Sequence, residues 1–136
     1  MTLEPYAARL NFMMPSPLTG NEWQLMLAQY MEALARLCTE AGPCVIGHIK
    51  GLAAFPDNGF LKISVISHDH PADVNGGVPE NLSDLSFALN VLVYGHTREM
   101  IARLNREILN FPDKPWKGHV TIVEVSHDHR YDKRKV

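Results

Sequence analysis

The sequence lacks the features that mark membrane, secreted and thiol-redox proteins. It has no apolar run close to the about 20 residues that a membrane span requires, and its N-terminus lacks the basic start and apolar stretch of a signal peptide. Its only cysteines, Cys38 and Cys44, have five residues between them, whereas redox pairs and zinc knuckles use Cys-x-x-Cys. We therefore expect a cytoplasmic protein with two buried free thiols.

The motifs of common nucleotide-dependent enzymes and hydrolases are also missing. The chain has no GxxxxGK(S/T) phosphate loop, no GxGxxG turn and no nucleophile elbow. Ser67, His68 and Asp69 are the residue types of a catalytic triad, but they cannot act together as one, because the side chains of neighbouring strand residues point apart. The sequence thus favours a non-enzymatic protein, and metal-activated water held by histidine is the one enzyme mechanism it leaves open.

Charge and composition place the chain among ordinary soluble domains. The formal net charge of −2 disfavours nucleic acid as a partner, because phosphate binding needs clustered Lys and Arg. With 46% hydrophobic and 21% charged residues, the chain can bury a normal core. Residues 1–136 are therefore expected to form a single domain.

The two ends of the chain have no clear helical or strand period. Residues 1–18 are rich in Pro and Met and are predicted to be an irregular arm, in which Leu10, Phe12 and Met14 alternate as a short edge strand would. Residues 127–136 are predicted to be a basic tail.

Two segments have the period of amphipathic helices. Thr19-Gly20-Asn21-Glu22 has the form of a capping box, so a helix should begin there, and Gly42-Pro43 should end it. A second helix should follow Thr97 and stop at Phe111-Pro112. The apolar residues are Trp23, Met26, Leu27, Tyr30, Leu34, Leu37 and Cys38 on the first helix, and Met100, Ile101, Leu104 and Ile108 on the second.

Four segments have the composition of β-strands. They are residues 44–52, 60–66, 85–94 and 119–125, and the turn cluster Pro56-Asp57-Asn58-Gly59 predicts that the first two form a hairpin. The element order α-β-β-β-α-β predicts an α+β fold, a two-layer sandwich with a mainly antiparallel sheet and two helices on one face. Residues 71–84 form a long connection of the kind that often has a function.

The four letters Ser-His-Asp-His occur twice, each time directly after a predicted strand. Side chains at i and i+2 of a strand share a face, so His68 and His70 form one pair of nitrogen ligands, and His127 and His129 form another. If the two strands were neighbours with aligned ends, four imidazoles would meet at a site suited to zinc, nickel or copper.

A second interpretation of the repeat needs no metal. Ser and Asp are common where strands end, because their side chains bond locally to the backbone and close a turn. His48 is expected to be a hydrogen-bonded sheet residue, His96 a neutral cap of the second helix, and His119 to share the parity of His127 and His129.

Two stretches carry a family resemblance. Residues 48–55, HIKGLAAF, and residues 89–109, LNVLVYGHTREMIARLNREIL, resemble the C-terminal domain of the CobW-type metallochaperone GTPases. That family has a strand with Lys-Gly leading into a hairpin, matched here by Lys50 and Gly51, and a later strand ending in Gly before a capped helix, matched by Gly95.

The likeness covers about half of the chain. It implies an accessory or partner-binding module connected with delivery of a metal or a metal cofactor. The family commonly has Arg where this chain has His48, and the GTP-binding half with its metal motif is not in the sequence. GTPase activity and the family's metal ligands are therefore not carried over to any residue.

The sequence favours a non-enzymatic module that binds a partner protein or forms a homodimer. One alternative is a metal-dependent hydrolase or lyase with the four SHDH histidines as ligands and Asp69, Asp73 or Glu124 as base. The other is double-stranded-RNA binding, since such domains share the α-β-β-β-α order and use basic residues on the second helix. That helix carries Arg98, Arg103 and Arg106.

Overall fold

The structure, a computed structural model, describes residues 3–112, 114 and 116–125. These residues form two layers, a six-stranded antiparallel sheet and two helices packed together on one of its faces. The strands are β1 (Tyr6–Leu18), β2 (Val45–Ala54), β3 (Phe60–Val65), β4 (Asp73–Gly76), β5 (Leu82–Tyr94) and β6 (His119–Glu124); the helices are α1 (Gly20–Glu40) and α2 (Arg98–Leu109). The predicted α+β two-layer sandwich is confirmed.

The strand order explains how the chain encloses its core. In the sheet order β4-β3-β2-β5-β1-β6, every neighbouring pair is antiparallel. The strands β1 and β2, which α1 connects, lie on either side of β5. The strands β5 and β6, which α2 connects, lie on either side of β1. Two such split β-α-β units are the core of ferredoxin-like folds. Here β3 and β4 extend that core beyond β2.

The first helix begins and ends as its sequence predicts. Thr19 is the N-cap, and its hydroxyl accepts the N–H of Glu22 over 3.1 Å while the Glu22 carboxylate accepts the N–H of Thr19 over 2.8 Å. This reciprocal pair satisfies two N–H groups of the first turn. The predicted apolar side of the helix is buried except for Leu37, which is partly buried.

The second helix also follows its prediction. Thr97 is its N-cap, with the side chain accepting the N–H of Met100 over 3.1 Å, and Asn110 is its C-cap. Its inner side chains meet those of α1 and the sheet in one hydrophobic core. The buried residues of α2 are Ile101, Ala102, Leu104, Asn105 and Leu109.

The N-terminal segment differs from the expectation of an irregular arm. Residues Tyr6–Leu18 form a 13-residue strand that lies between β5 and β6. The expectation was wrong because Pro15 and Pro17 suggested that no long strand could form. Both prolines lie in the irregular stretch between the paired residues Met13 and Leu18, where no regular ladder N–H is needed.

The predicted long connection over residues 71–84 is also more ordered than expected. It contains the short edge strand β4, which pairs with β3, and the start of β5 at Leu82. Gly76 adopts a φ of 84°, and a Cβ there would overlap the Phe60 carbonyl oxygen. The predicted tail, residues 127–136, lies outside the described residues.

Candidate functional site

The first SHDH motif lies in a turn. β3 ends at Val65, and Ser67 to His70 follow in the connection to β4. The Ser67 hydroxyl donates to the Asp69 carboxylate, the Asp69 N–H donates to Ser67 Oγ over 3.3 Å, and His70 Nδ1 lies 3.1 Å from Asp69 Oδ1. The hydrogen bond from Ser67, above all, lowers the pKa of Asp69. These are the local bonds of a strand end closed by Ser and Asp.

The predicted alternation of His68 and His70 does not apply, because both residues lie beyond the strand. They are exposed, and His70 turns to its neighbour Asp69. The other two predicted ligands, His127 and His129, lie outside the described residues.

The four-histidine site also required the strands before the two motifs to be neighbours. These strands, β3 and β6, run in the same direction, but β2, β5 and β1 lie between them. At about 4.8 Å per spacing, their ends are about 19 Å apart. Within residues 3–112, 114 and 116–125, no group of three or more His, Cys, Asp or Glu side chains could hold a metal ion. The zinc, nickel or copper site stays a prediction.

The three carboxylates considered as general bases do not share a site. Asp73 lies on β4 and Glu124 on β6, which are opposite edges of the sheet and about 24 Å apart at five strand spacings. Asp69 is engaged in its turn, and Glu124 Oε2 accepts from Tyr6 Oη over 2.9 Å and from Arg106 Nη1 over 3.0 Å. The metal-hydrolase alternative therefore has no single cluster of ligand and base among these residues.

His96 has a different role from the expected cap. It is buried, and its Nε2 lies 2.7 Å from the carbonyl oxygen of Cys38, at the end of α1. The cap of α2 is Thr97, and His96 instead ties the start of α2 to the end of α1. The Cys38 thiol is buried too, and burial raises its pKa to about 12, as expected of an unreactive structural thiol.

A buried chain of hydrogen bonds connects both helices to the sheet. Tyr30 on α1 donates to Asn105 Oδ1, and Asn105 Nδ2 donates to Tyr6 Oη on β1 over 3.2 Å. Tyr6 then donates to Glu124 on β6, which also accepts from Arg106. Burial raises the pKa of Tyr6 and of Tyr30, so both hydroxyls stay protonated at neutral pH.

Sequence reasoning missed this network, although one signal was present. Asn105 follows Ile101 and Leu104 and precedes Ile108 at helical steps, which places it on the apolar side of α2. A polar residue on that side requires a buried partner. The identity of the partners, on β1 and α1, depends on the tertiary fold.

The three arginines on which the RNA-binding alternative was based make contacts within the molecule. Arg98 Nε donates to the Pro5 carbonyl over 2.9 Å, and Arg103 pairs with Glu107 at 3.8 Å. Arg106 pairs with Glu124. The described order also differs from the α-β-β-β-α order on which this alternative was based, because β1 precedes α1 and four strands lie between the helices.

The face of the sheet opposite the helices, which we call the open face, has an apolar end. Tyr94 pairs with Val45 on β2 and bridges to Leu3, so the three side chains form a row on this face. Leu92 lies in the next row, opposite His48, and Ile66 follows the end of β3 nearby. Exposed fractions are 38% for Leu3, 54% for Val45, 63% for Ile66 and 36% for Tyr94.

The centre of the open face carries three cations and one exposed apolar side chain, Leu52, which pairs with Lys62. Arg9 lies on β1, Lys50 on β2 and Lys62 on β3, all with side chains opposite the buried face of the sheet. Lys50 faces the same way as His48, and burial together with the Lys50 charge lowers the pKa of that imidazole. His48 is therefore neutral at pH 7, so it adds no charge beside the apolar end.

No protein-family model, curated protein or solved structure matches this chain. Neither described helix is both long enough and apolar enough to cross a membrane.

Proposed function

We propose that this chain is a small accessory module that assembles with a second copy of itself through the apolar end of the open face. The observation that carries the proposal is the exposed row Leu3, Tyr94 and Val45 on one face of a sheet, with the exposed Ile66 and the half-buried Leu92 beside it. Apolar side chains that cluster on one surface of a protein are often part of a functional site.

A second copy fits this surface better than another partner because an apolar patch is its own complement. Hydrophobic attraction does not depend on charge, so two identical apolar patches attract each other. Two identical basic centres with Lys50 and Lys62 would instead repel each other. A two-fold axis along the apolar row brings the two apolar ends together and places the basic centres on opposite sides of the axis.

The β4 edge of the sheet is less suited to pairing with another strand. β4 has only four residues and ends in Gly76 with a left-handed φ, and short or distorted edge strands resist addition of another strand.

The area of the apolar end determines how tightly two copies are expected to associate. Four neighbouring strands about 4.8 Å apart and two rows of side chains about 6.6 Å apart enclose at most a few hundred Å². Stable interfaces bury about 800 Å² on each partner. We therefore expect a concentration-dependent equilibrium between monomer and dimer. The resemblance to the CobW C-terminal domain supports the same class of function, an accessory module.

Sedimentation velocity over a concentration series tests this proposal. We expect the wild type to shift from monomer to dimer as concentration rises, and Val45→Lys/Ile66→Lys to stay monomeric, because it buries two charges in the apolar contact. The matched control is His119→Lys/Thr121→Lys, which adds two lysines to β6 instead, and it should dimerise like the wild type. A wild type that is monomeric throughout, or a control that loses the dimer equally, would contradict the proposal.

A further inference from the structure

His48 lies within the apolar end of the open face, among the residues that the proposed dimer would cover. It pairs with Leu92 of β5 on one side. On the other side, the next residue of its own strand, Ile49, pairs with Val65 of β3, so Ile66 lies beside His48. The imidazole is therefore in the middle of a row, with an apolar side chain on each side of it.

A contact that covers both Leu92 and Ile66 also covers His48. The His48 side chain is already partly buried in the single chain, and a facing copy would remove more of its water. A neutral imidazole can enter such a contact at small cost, whereas an imidazolium would lose much more solvation. The interface would therefore distinguish between the two protonation states of His48.

The row of His48 and the row beside it contain no carboxylate among the described residues. His48 shares these two rows with Ile66, Leu92, Val45, Tyr94 and Leu3. On β2, Lys50 lies two residues along and faces the same way, so its ammonium group disfavours a second positive charge on His48.

The carboxylates of the surrounding elements are engaged or lie in other rows. Asp69 is bonded within its own turn after β3, and Glu4, before β1, accepts the N–H of Arg98 over 2.9 Å. Asp73 lies on β4, which is two strand spacings, about 10 Å, from β2. The other titratable side chains nearby are His68, His70 and Tyr94. A proton on His48 would thus gain no ion pair from the described residues.

We propose that His48 makes the self-association of this chain sensitive to pH, so that two copies associate when its imidazole is neutral and separate when it is protonated. This inference rests on the proposed function, because it concerns the regulation of the same apolar end. In a dimer, protonation would put one positive charge from each copy into the contact, each beside the ammonium group of Lys50.

The direction of the pH dependence follows from the pKa of His48. Burial, above all, and the charge of Lys50 lower this pKa from its ordinary value of 6.5 in the single chain. The cover of a second copy would lower it further. The dimer therefore has its full stability above the pKa of the free chain and loses stability as the pH falls through that value. The expected window lies below pH 6.5.

Sedimentation velocity at about pH 7.5 and about pH 5 measures the effect, with circular dichroism at both values to show that the chain stays folded. We expect the dissociation constant of the wild-type dimer to rise at least about tenfold at the lower pH, because two protons must leave each pair of chains that associates. His48→Gln, which stays neutral, should have the same dissociation constant at both values. His48→Lys, which is charged at both values, should stay monomeric.

The matched control is His68→Gln/His70→Gln, which removes the two histidines of the neighbouring turn and should keep the wild-type pH dependence. NMR titration of the His48 ring supplies a second readout. Its pKa should be lower above the dissociation constant than below it, because proton binding and self-association are reciprocally linked. An equal pKa at both concentrations, or a pH dependence that persists in His48→Gln, would overturn the inference.

Failure of this inference is distinguishable from failure of the proposed function. A wild type that dimerises equally well at both pH values overturns only the role of His48. A wild type that stays monomeric at about pH 7.5 contradicts the self-association itself, and the inference falls with it.

Discussion

Asn105 is the central residue of the buried hydrogen-bond network. It accepts from Tyr30 and donates to Tyr6, and it is fully buried. With its side chain removed, the Tyr30 hydroxyl would remain a buried donor without an acceptor, and such groups cost about 1–3 kcal/mol each.

Asn105→Ala is expected to lower the free energy of unfolding by about 2–3 kcal/mol, through the orphaned hydroxyl and the small cavity. Urea denaturation followed by circular dichroism measures it. The control, Asn110→Ala at the exposed end of the same helix, should change stability by about 0.5 kcal/mol or less. In a Tyr30→Phe background, Asn105→Ala should cost less than in the wild type; an equal cost would contradict the coupling.

At the level of single residues, the sequence predicted those features that depend on near neighbours. The capping box at Thr19 and the apolar side of each helix follow from spacings of three or four residues, whereas the N-cap of α2 is Thr97 and not the expected His96. The role of His96 and the network around Asn105 could not be predicted, because their partners lie 58 and 75 residues away in the chain.

The contact between β2 and β5 shows how one element determines the composition of another. Phe87 on β5 points its ring into the space beside Gly51 on β2, and a Cβ on Gly51 would overlap that ring. Both residues lie on the core side of the sheet, where the ring is completely buried. The Phe87 ring therefore explains why residue 51 is a glycine, since the φ of Gly51 is not left-handed.

Gly51→Ala is expected to destabilise the protein by about 1–3 kcal/mol, because the core must move to admit the methyl group. Phe87→Leu in the same chain should recover part of that loss by vacating the space. Thermal unfolding of the single and double variants measures both effects. Gly59→Ala is the control, since the nearest atoms to its Cβ lie at 4.0 Å, and it should be nearly neutral. A Gly51→Ala variant as stable as the wild type would contradict this account.

Elements were predicted well where the period was regular and poorly where proline interrupted it. The β2–β3 hairpin and β6 agree with their segments, and the turn between β2 and β3 includes Asn58 with a φ of 64°. For β1, the alternation of Leu10, Phe12 and Met14 predicted only a short edge strand, because alternation alone does not say whether a strand lies at an edge or between two others. That choice depends on partners distant in the chain.

At the scale of the whole molecule, β1 is the interior strand that joins β6 to the other four strands of the sheet. It pairs with β5 along one side and with β6 along the other, and its side chains Tyr6, Leu10 and Phe12 are almost completely buried. An irregular arm could be removed with little effect, whereas an interior strand could not.

Deletion of residues 1–18 is therefore expected to abolish the cooperative unfolding transition, measured by circular dichroism and by the dispersion of an NMR spectrum. The control replaces residues 71–77, which include β4, with Gly and Ser at the same length. Because β4 is a short exposed edge strand, this variant should keep a single transition at lower stability. A truncated chain that still unfolds cooperatively would contradict the interior role of β1.

The place of β1 between β5 and β6 also has a consequence for protein synthesis. β1 is the first strand to leave the ribosome, yet β5 follows it only after more than 60 further residues, and β6 comes last of all. At about 5–20 residues per second, the nascent strand waits on the order of 3–13 s before its first partner is made. During that time its alternating apolar side chains have no sheet to join, so the nascent chain exposes a surface that is prone to aggregation until β5 is made.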